Sequence, residues 1–220
     1  MALPKITDYP LPRPADLPRA RAPFVLSTGR AALLIHDMQR YFCAAYGEDA
    51  LRRDGSLLRA VALNIAAIAS RARAAGMPVF YTAQKGNQLA ADRGLQKDLW
   101  GPGMRAIPEH EEIIDMLGPE EGDIQLVKHR YSAFQRSNLH HLMRARGRDQ
   151  LLVTGIYAHI GCLATATDAF QRDIEPFLVA DAVADFSEAR HRMALDWVAD
   201  CSGAVLGTAD VIAAFQGGPT

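Results

Sequence analysis

The chain has 220 residues, 49% apolar and 22% charged, a balance that suits one domain with a full hydrophobic core and excludes a disordered polymer. Twenty-four Lys and Arg against 25 Asp and Glu leave a formal charge of -1, so no global field draws the protein to nucleic acid or to an anionic membrane. No apolar run reaches the roughly 20 residues that span a bilayer, and the opening MALPKITDYPLPRPADLPRARAPF lacks the apolar segment of a secretory signal.

Three scattered cysteines, Cys43, Cys162 and Cys201, make no disulfide framework. With no CxxC pair and no closely spaced His set, a structural zinc is not expected either. These features predict a cytoplasmic protein that uses no metal or other cofactor.

Six of the 12 prolines lie in the first 30 residues. Proline fixes φ and has no backbone donor, so residues 1–29 are expected to form an extended arm, with one domain over 30–220. Such an arm is either solvated linker or a strap across its own domain or a partner subunit. From Ala31 the pattern changes. AALLIHD is a short, continuous apolar run, as in a strand buried on both faces. Residues 57–76 have helical periodicity with Gly76 as a stop. MPVFYTAQ is a second strand, and residues 85–104 read as a long loop of the kind that carries binding groups. DIQLVKHR is a third strand, RSNLHHLMRARG a helix ending at Gly147, and DQLLVTGIY a fourth strand. GCLATATDAFQRD is a helix, EPFLVADAVADF a fifth strand with its loop, SEARHRMALDWVADC a helix, and GAVLGTADVIAAF a short strand and helix.

Strands alternating with helices predict an α/β fold, a three-layer α/β/α sandwich on a parallel sheet. Ligands of such sheets sit beyond the carboxyl ends of the strands. Reading those ends gives His36-Asp37, then Thr82 to Gln84, then Lys128, then Tyr157 to Gly161. One carboxylate, one amide, one ammonium and a glycine-containing helix start thus meet on one edge. An Asp at a strand end is more often a turn cap, and a lone Lys a surface charge. Their conjunction at separate strand ends is what marks a site. His36 and His159, beside apolar runs, read as hydrogen-bonded structural groups.

LLIHDMQRYF, VFYTAQ, DRGLQKDLWGPGM, KHRYSAF, GRDQLLVTGIYAHIGCLATATDAFQRDI and PFLVADAVADFS, co-linear over nearly the whole chain, resemble the isochorismatase family. The resemblance implies a six-stranded parallel sheet in the order 3-2-1-4-5-6 and a cis peptide at Ile156–Tyr157. It assigns the acid to Asp37 and a companion lysine to Lys128, with substrate contacts from Phe42, Gln84, Arg93, Trp100, Tyr131, Tyr157 and Gly161. It implies hydrolysis of the enolpyruvyl ether of isochorismate to 2,3-dihydro-2,3-dihydroxybenzoate and pyruvate, as in siderophore biosynthesis; a related branch acts on 2-amino-2-deoxyisochorismate in phenazine synthesis. It also implies a homodimer, and, since relatives can carry a C-terminal carrier domain and this chain ends at Thr220, a carrier that is a separate protein if one is used. Two positions depart from the pattern: His129 stands where a Trp is usual and Lys85 where a Pro is usual.

In nicotinamidase-like relatives a nucleophilic Cys occupies the position that is Gly161 here. Cys162 lies one residue late, and a shift of one residue at a helix start turns a side chain by roughly 100°. Cys162 is therefore expected to face the core as a structural thiol, leaving acid chemistry without a nucleophile. Burial at the end of a strand favours the proton on Asp37, whereas an adjacent ammonium favours the carboxylate; a dianionic substrate that engages Lys128 through a carboxylate would let Asp37 gain its proton, and the Gly161 turn offers backbone N–H groups to an anion. Two rival readings are a cysteine amidohydrolase using Cys162, and a catalytically silent binding partner.

Overall fold

The computed structural model describes residues 3–216. Its centre is β1 (Ala31–His36), buried at every position. Parallel strands covered on both faces have no polar side, which is why AALLIH is a run rather than an alternation. Chain order continues through α1 (Arg40–Cys43), α2 (Leu57–Ala74), β2 (Val79–Ala83), α3 (Ala90–Arg93), α4 (Gln96–Trp100), α5 (Pro108–Glu111) and β3 (Ile124–Val127). Then come α6 (Leu139–Ala145), β4 (Gln150–Ile156), a π-helical turn over Ala158–Cys162, α7 (Leu163–Phe170), β5 (Glu175–Ala184), α8 (Glu188–Cys201), β6 (Ala204–Leu206) and α9 (Thr208–Ala214). The six strands are parallel in the order β3-β2-β1-β4-β5-β6, as the resemblance implies.

Two apolar clusters fill the two faces of the sheet. One joins Leu33 and Ile35 of β1 to Leu58, Val61, Ile65 and Ile68 of α2 and to Val211 of α9. The other joins Leu34 to Leu139 and Met143 of α6, Ala166 and Ala169 of α7, and Leu195 and Val198 of α8. Helix α2 shows how the sequence builds one layer. Ser56 caps its first turn by accepting from the Arg59 N–H at 3.4 Å, its buried residues recur at intervals of three and four, and Gly76 takes φ 68° beyond its end.

The proline-rich arm runs largely extended and docks on its own domain. Ile6 is buried, and its N–H donates to Ala45 O at 2.8 Å. Tyr9 Oη accepts the Asp185 N–H at 2.7 Å and meets His191 Nδ1 at 3.1 Å. Farther along, Arg21 N donates to Ala199 O at 2.9 Å and Ser27 N to Gln150 Oε1 at 2.7 Å.

Two local expectations change. Residues 85–104 are not plain loop: they contain α3 and α4, four and five residues long, each closed by a glycine at positive φ, Gly94 and Gly101. Helices of one turn are too short to show a periodic pattern. The helix expected from Gly161 begins as α7 only at Leu163, because Ala158–Cys162 winds as the π turn that follows the cis Ile156–Tyr157 peptide.

Candidate active site

The carboxyl ends of β1, β2, β3 and β4 open into one cavity. Asp37, Phe42, Gln84, Arg93, Trp100, Lys128, Tyr131, Tyr157 and Gly161 all line it, so the nine residues that the resemblance gives catalytic or substrate-contact roles come to one place. Leu3, Tyr41, Gln96, Ile156, Ile160 and Phe186 complete the wall. Leu3 lies outside the quoted sequence blocks, Ile156 was marked only by its cis peptide, and no local signal beyond block membership marks the other four, because apolar and amide wall positions depend on tertiary packing. Lys85 lies exposed outside the cavity. His129 also lies outside it, partly buried, and its Nδ1 has no hydrogen-bond partner among the described residues.

Asp37 directly follows β1 with φ 51°. Its N–H meets Thr82 O at 3.2 Å and Thr82 Oγ1 at 3.1 Å, so the end of β2 fixes its backbone. Thr82 Oγ1 donates to Asp37 Oδ1 at 2.7 Å, and Lys128 Nζ lies 2.6 Å from Asp37 Oδ2. Both side chains of this pair are almost fully buried, at 8% and 2% exposure. Lys128 Nζ also donates to Tyr131 O at 3.1 Å and stands 3.4 Å from His36 Nε2. Three acceptors therefore face an ammonium that has three protons. The lysine is engaged inside the protein, as a companion of Asp37, and its three contacts leave it less free to meet a substrate carboxylate.

Arg93 supplies the free charge. It is buried at 6% exposure, its Nε donates to Gly101 O at 2.6 Å, and it forms no ion pair among the described residues. Burial pushes its guanidinium below the usual range, the physical signature of a cation that lacks an anion. Gly103 makes room for it: a Cβ there would lie 2.7 Å from Arg93 Cζ. Gln84 is aligned by Gln39, whose Oε1 accepts the Gln84 N–H at 2.7 Å and whose Nε2 donates to Gln84 O at 2.8 Å. The apolar wall is aromatic. Trp100 Nε1 donates to Tyr131 Oη at 2.8 Å, Tyr157 Oη donates to Phe42 O at 2.7 Å, and the Tyr157 and Phe186 rings lie 4.4 Å apart.

The turn after β4 contains no nucleophile directed at the cavity. Cys162 is fully buried, its Sγ 3.9 Å from Thr154 O, and burial pushes its thiol well above the ordinary range. The backbone of this turn is also less available than its sequence suggests. The His159 N–H goes to Asp185 Oδ2 at 2.6 Å, and the Ile160 and Cys162 N–H groups both go to Tyr157 O. Gly161 itself adjoins the His36 ring: a Cβ at 161 would lie 2.8 Å from Nε2, 2.9 Å from Nδ1 and closer still to Cε1. The expected close approach at this glycine is thus to an imidazole.

Residues 31–210 match the family model described as the Isochorismatase domain. Enterobactin synthase component B of Escherichia coli (strain K12) is 47% identical over 97% of this chain and 73% of its own length. Isochorismatase of Bacillus subtilis (strain 168) is 46% identical over 100% and 69%, and phenazine biosynthesis protein PhzD1 of Pseudomonas aeruginosa is 47% identical over 96% and 98%. Among solved structures, a cysteine hydrolase from Pseudomonas syringae pv. phaseolicola superposes with a TM-score of 0.78 at 27% identity, over 91% of this chain and 98% of that one.

Proposed function

This chain belongs to the isochorismatase family, and from that premise we propose that it hydrolyses the enolpyruvyl ether of isochorismate, with Asp37 as the proton donor. The observation that carries this reading is the pairing of Asp37 with Lys128 and Thr82 at the cavity wall beside Gly161, a position with no side chain to act as nucleophile. A vinyl ether is cleaved by protonating its terminal methylene carbon. Asp37 gives that proton, the ether oxygen stabilises the resulting oxocarbenium ion, and water adds to the cationic carbon. Asp37 takes a proton back from the added water. The hemiketal then collapses: its hydroxyl gives up its proton as the pyruvate carbonyl forms, the carbon–oxygen bond to the ring breaks, the ring oxygen takes up one proton, and pyruvate leaves.

Proton transfer to carbon is slow, so the main requirement is an acid held at the reacting carbon. Lys128 and Thr82 hold one, and the aromatic wall limits the water that competes for it. The 2.6 Å contact between Lys128 Nζ and Asp37 Oδ2 is the path by which the lysine hands Asp37 the proton that it delivers. Arg93 is the donor for a substrate carboxylate, since its buried guanidinium has no ion-pair partner among the described residues, and the Gln84 amide is the second. The homodimer implied by the resemblance belongs to the same proposal.

Coupled assay of pyruvate release tests it. Purified protein is expected to release pyruvate from isochorismate, and Asp37→Ala to lose at least about a hundredfold in kcat, the lower range for a general acid. Faster turnover of the 2-amino-2-deoxy analogue would shift the substrate and keep the chemistry. Absence of pyruvate from both would contradict the proposal.

A further inference from the structure

We propose that His36 is a positioning residue for this acid: as a neutral imidazole protonated on Nδ1, it takes the third proton of Lys128 and thereby fixes the ammonium against Asp37. The inference rests on the reading of Asp37 as the acid. It starts from the space at Gly161, where the ring stands so close that no Cβ fits. The ring thus fills the volume into which a side chain at 161 would project, and the vacancy left by a missing nucleophile is occupied.

The state of the ring follows from its neighbours. Nδ1 lies 3.0 Å from Ile156 O, while Nε2 lies 3.2 Å from Tyr131 O and 3.4 Å from Lys128 Nζ. Complete burial and the Lys128 charge push the imidazole down to about 4, so near neutral pH it carries one N–H. A proton on Nε2 would face the ammonium donor against donor. A proton on Nδ1 satisfies Ile156 O and leaves the Nε2 lone pair for Lys128. Tyr131 O then accepts from Lys128. The ionisable groups around this cluster are Asp37 on the same strand, with Oδ2 3.7 Å from Nδ1, Lys128 just beyond β3, and Cys162 in the π turn, whose buried thiol stays neutral.

Without His36, one ammonium proton loses its acceptor and is free to turn toward a substrate carboxylate, drawing Lys128 off Asp37. With it, the lysine serves the acid and Arg93 serves the substrate anion. The test compares two substitutions. His36→Asn keeps a donor near the Nδ1 position but does not reach Lys128; His36→Gln places an amide oxygen near the Nε2 position. For His36→Asn, kcat is expected to fall about tenfold or more with KM changed less than about twofold, the scale of one hydrogen bond to a charged group. His36→Gln is expected to regain most of the rate. Equal losses in both variants would overturn the proposal in favour of simple packing.

Nitrogen-15 NMR of the wild-type imidazoles gives a readout that needs neither turnover nor a folded variant. His36 is expected to show a protonated Nδ1 and a bare Nε2 at neutral pH; an Nε2–H tautomer or an imidazolium would overturn the inference. A wild-type protein inactive on both ethers but showing the expected tautomer would place the failure in the functional reading alone.

Discussion

His36 binds a proton far less readily in the folded chain than out of it, its pKa falling from 6.5 to about 4 because burial, and then Lys128, penalise the cation. The folded pKa is the depressed one. Its contribution to stability is therefore fully present above about pH 6.5 and is lost as pH falls toward about 4, where the unfolded chain binds the extra proton. Burial depresses His191 as well, which adds in the same direction. A shift of this size corresponds to a few kcal/mol, on the order of 3. Urea unfolding at about pH 7.5 and about pH 4.5 is expected to show a marked loss in wild type and a smaller one in His36→Gln. Equal losses in the two proteins would contradict a buried neutral imidazole. At this scale the common cavity of the nine candidate residues was foreshadowed by the long co-linear blocks that carry them. The role of His36 was not. Its partners Tyr131, Ile156 and Gly161 lie roughly a hundred residues away and meet it only through the pairing of β1 with β4 on one side and, by way of β2, with β3 on the other, so the sequence supported only a hydrogen-bonded structural histidine.

Elements divide along similar lines. Those carrying a periodic or continuous apolar pattern, β1, α2, β4 and α8, were readable, since burial on a sheet face imposes the pattern. One-turn helices such as α3 and α4 were not, because four or five residues complete too little of a helix to repeat. The arm was recognisable as extended from its prolines, but its destination was open. Single contacts such as Tyr9 to Asp185 decide that it covers its own domain. Leu3 then reaches the cavity wall, so docking of the arm and closure of the site are linked. Removing the Tyr9 hydroxyl leaves the buried Asp185 N–H without that partner, and Tyr9→Phe is expected to cost about 1–3 kcal/mol in urea unfolding. No measurable change would mean that the arm is held by its apolar contacts, Ile6 foremost.

For the whole molecule, the sheet order by itself chooses no chemistry. The same architecture serves a cysteine hydrolase at a TM-score of 0.78, and function resides in the site that the architecture supports. In the proposed mechanism, what separates the two chemistries is local: Gly161 with the His36 ring against it, Cys162 turned into the core, and Asp37 held by Lys128 and Thr82. These differences occupy a few residues at one sheet edge while both apolar clusters remain those of an ordinary three-layer sandwich. A chain with this fold therefore reveals its reaction by the atom to which solvent oxygen is delivered. The most direct measurement is turnover of isochorismate in oxygen-18 water, stopped early, with both products weighed by mass spectrometry and Asp37→Asn run alongside. Protonation of the vinyl ether predicts label in freshly released pyruvate, none in the ring alcohol, and no products from Asp37→Asn. Label in the ring alcohol, or wild-type turnover by Asp37→Asn, would contradict the account.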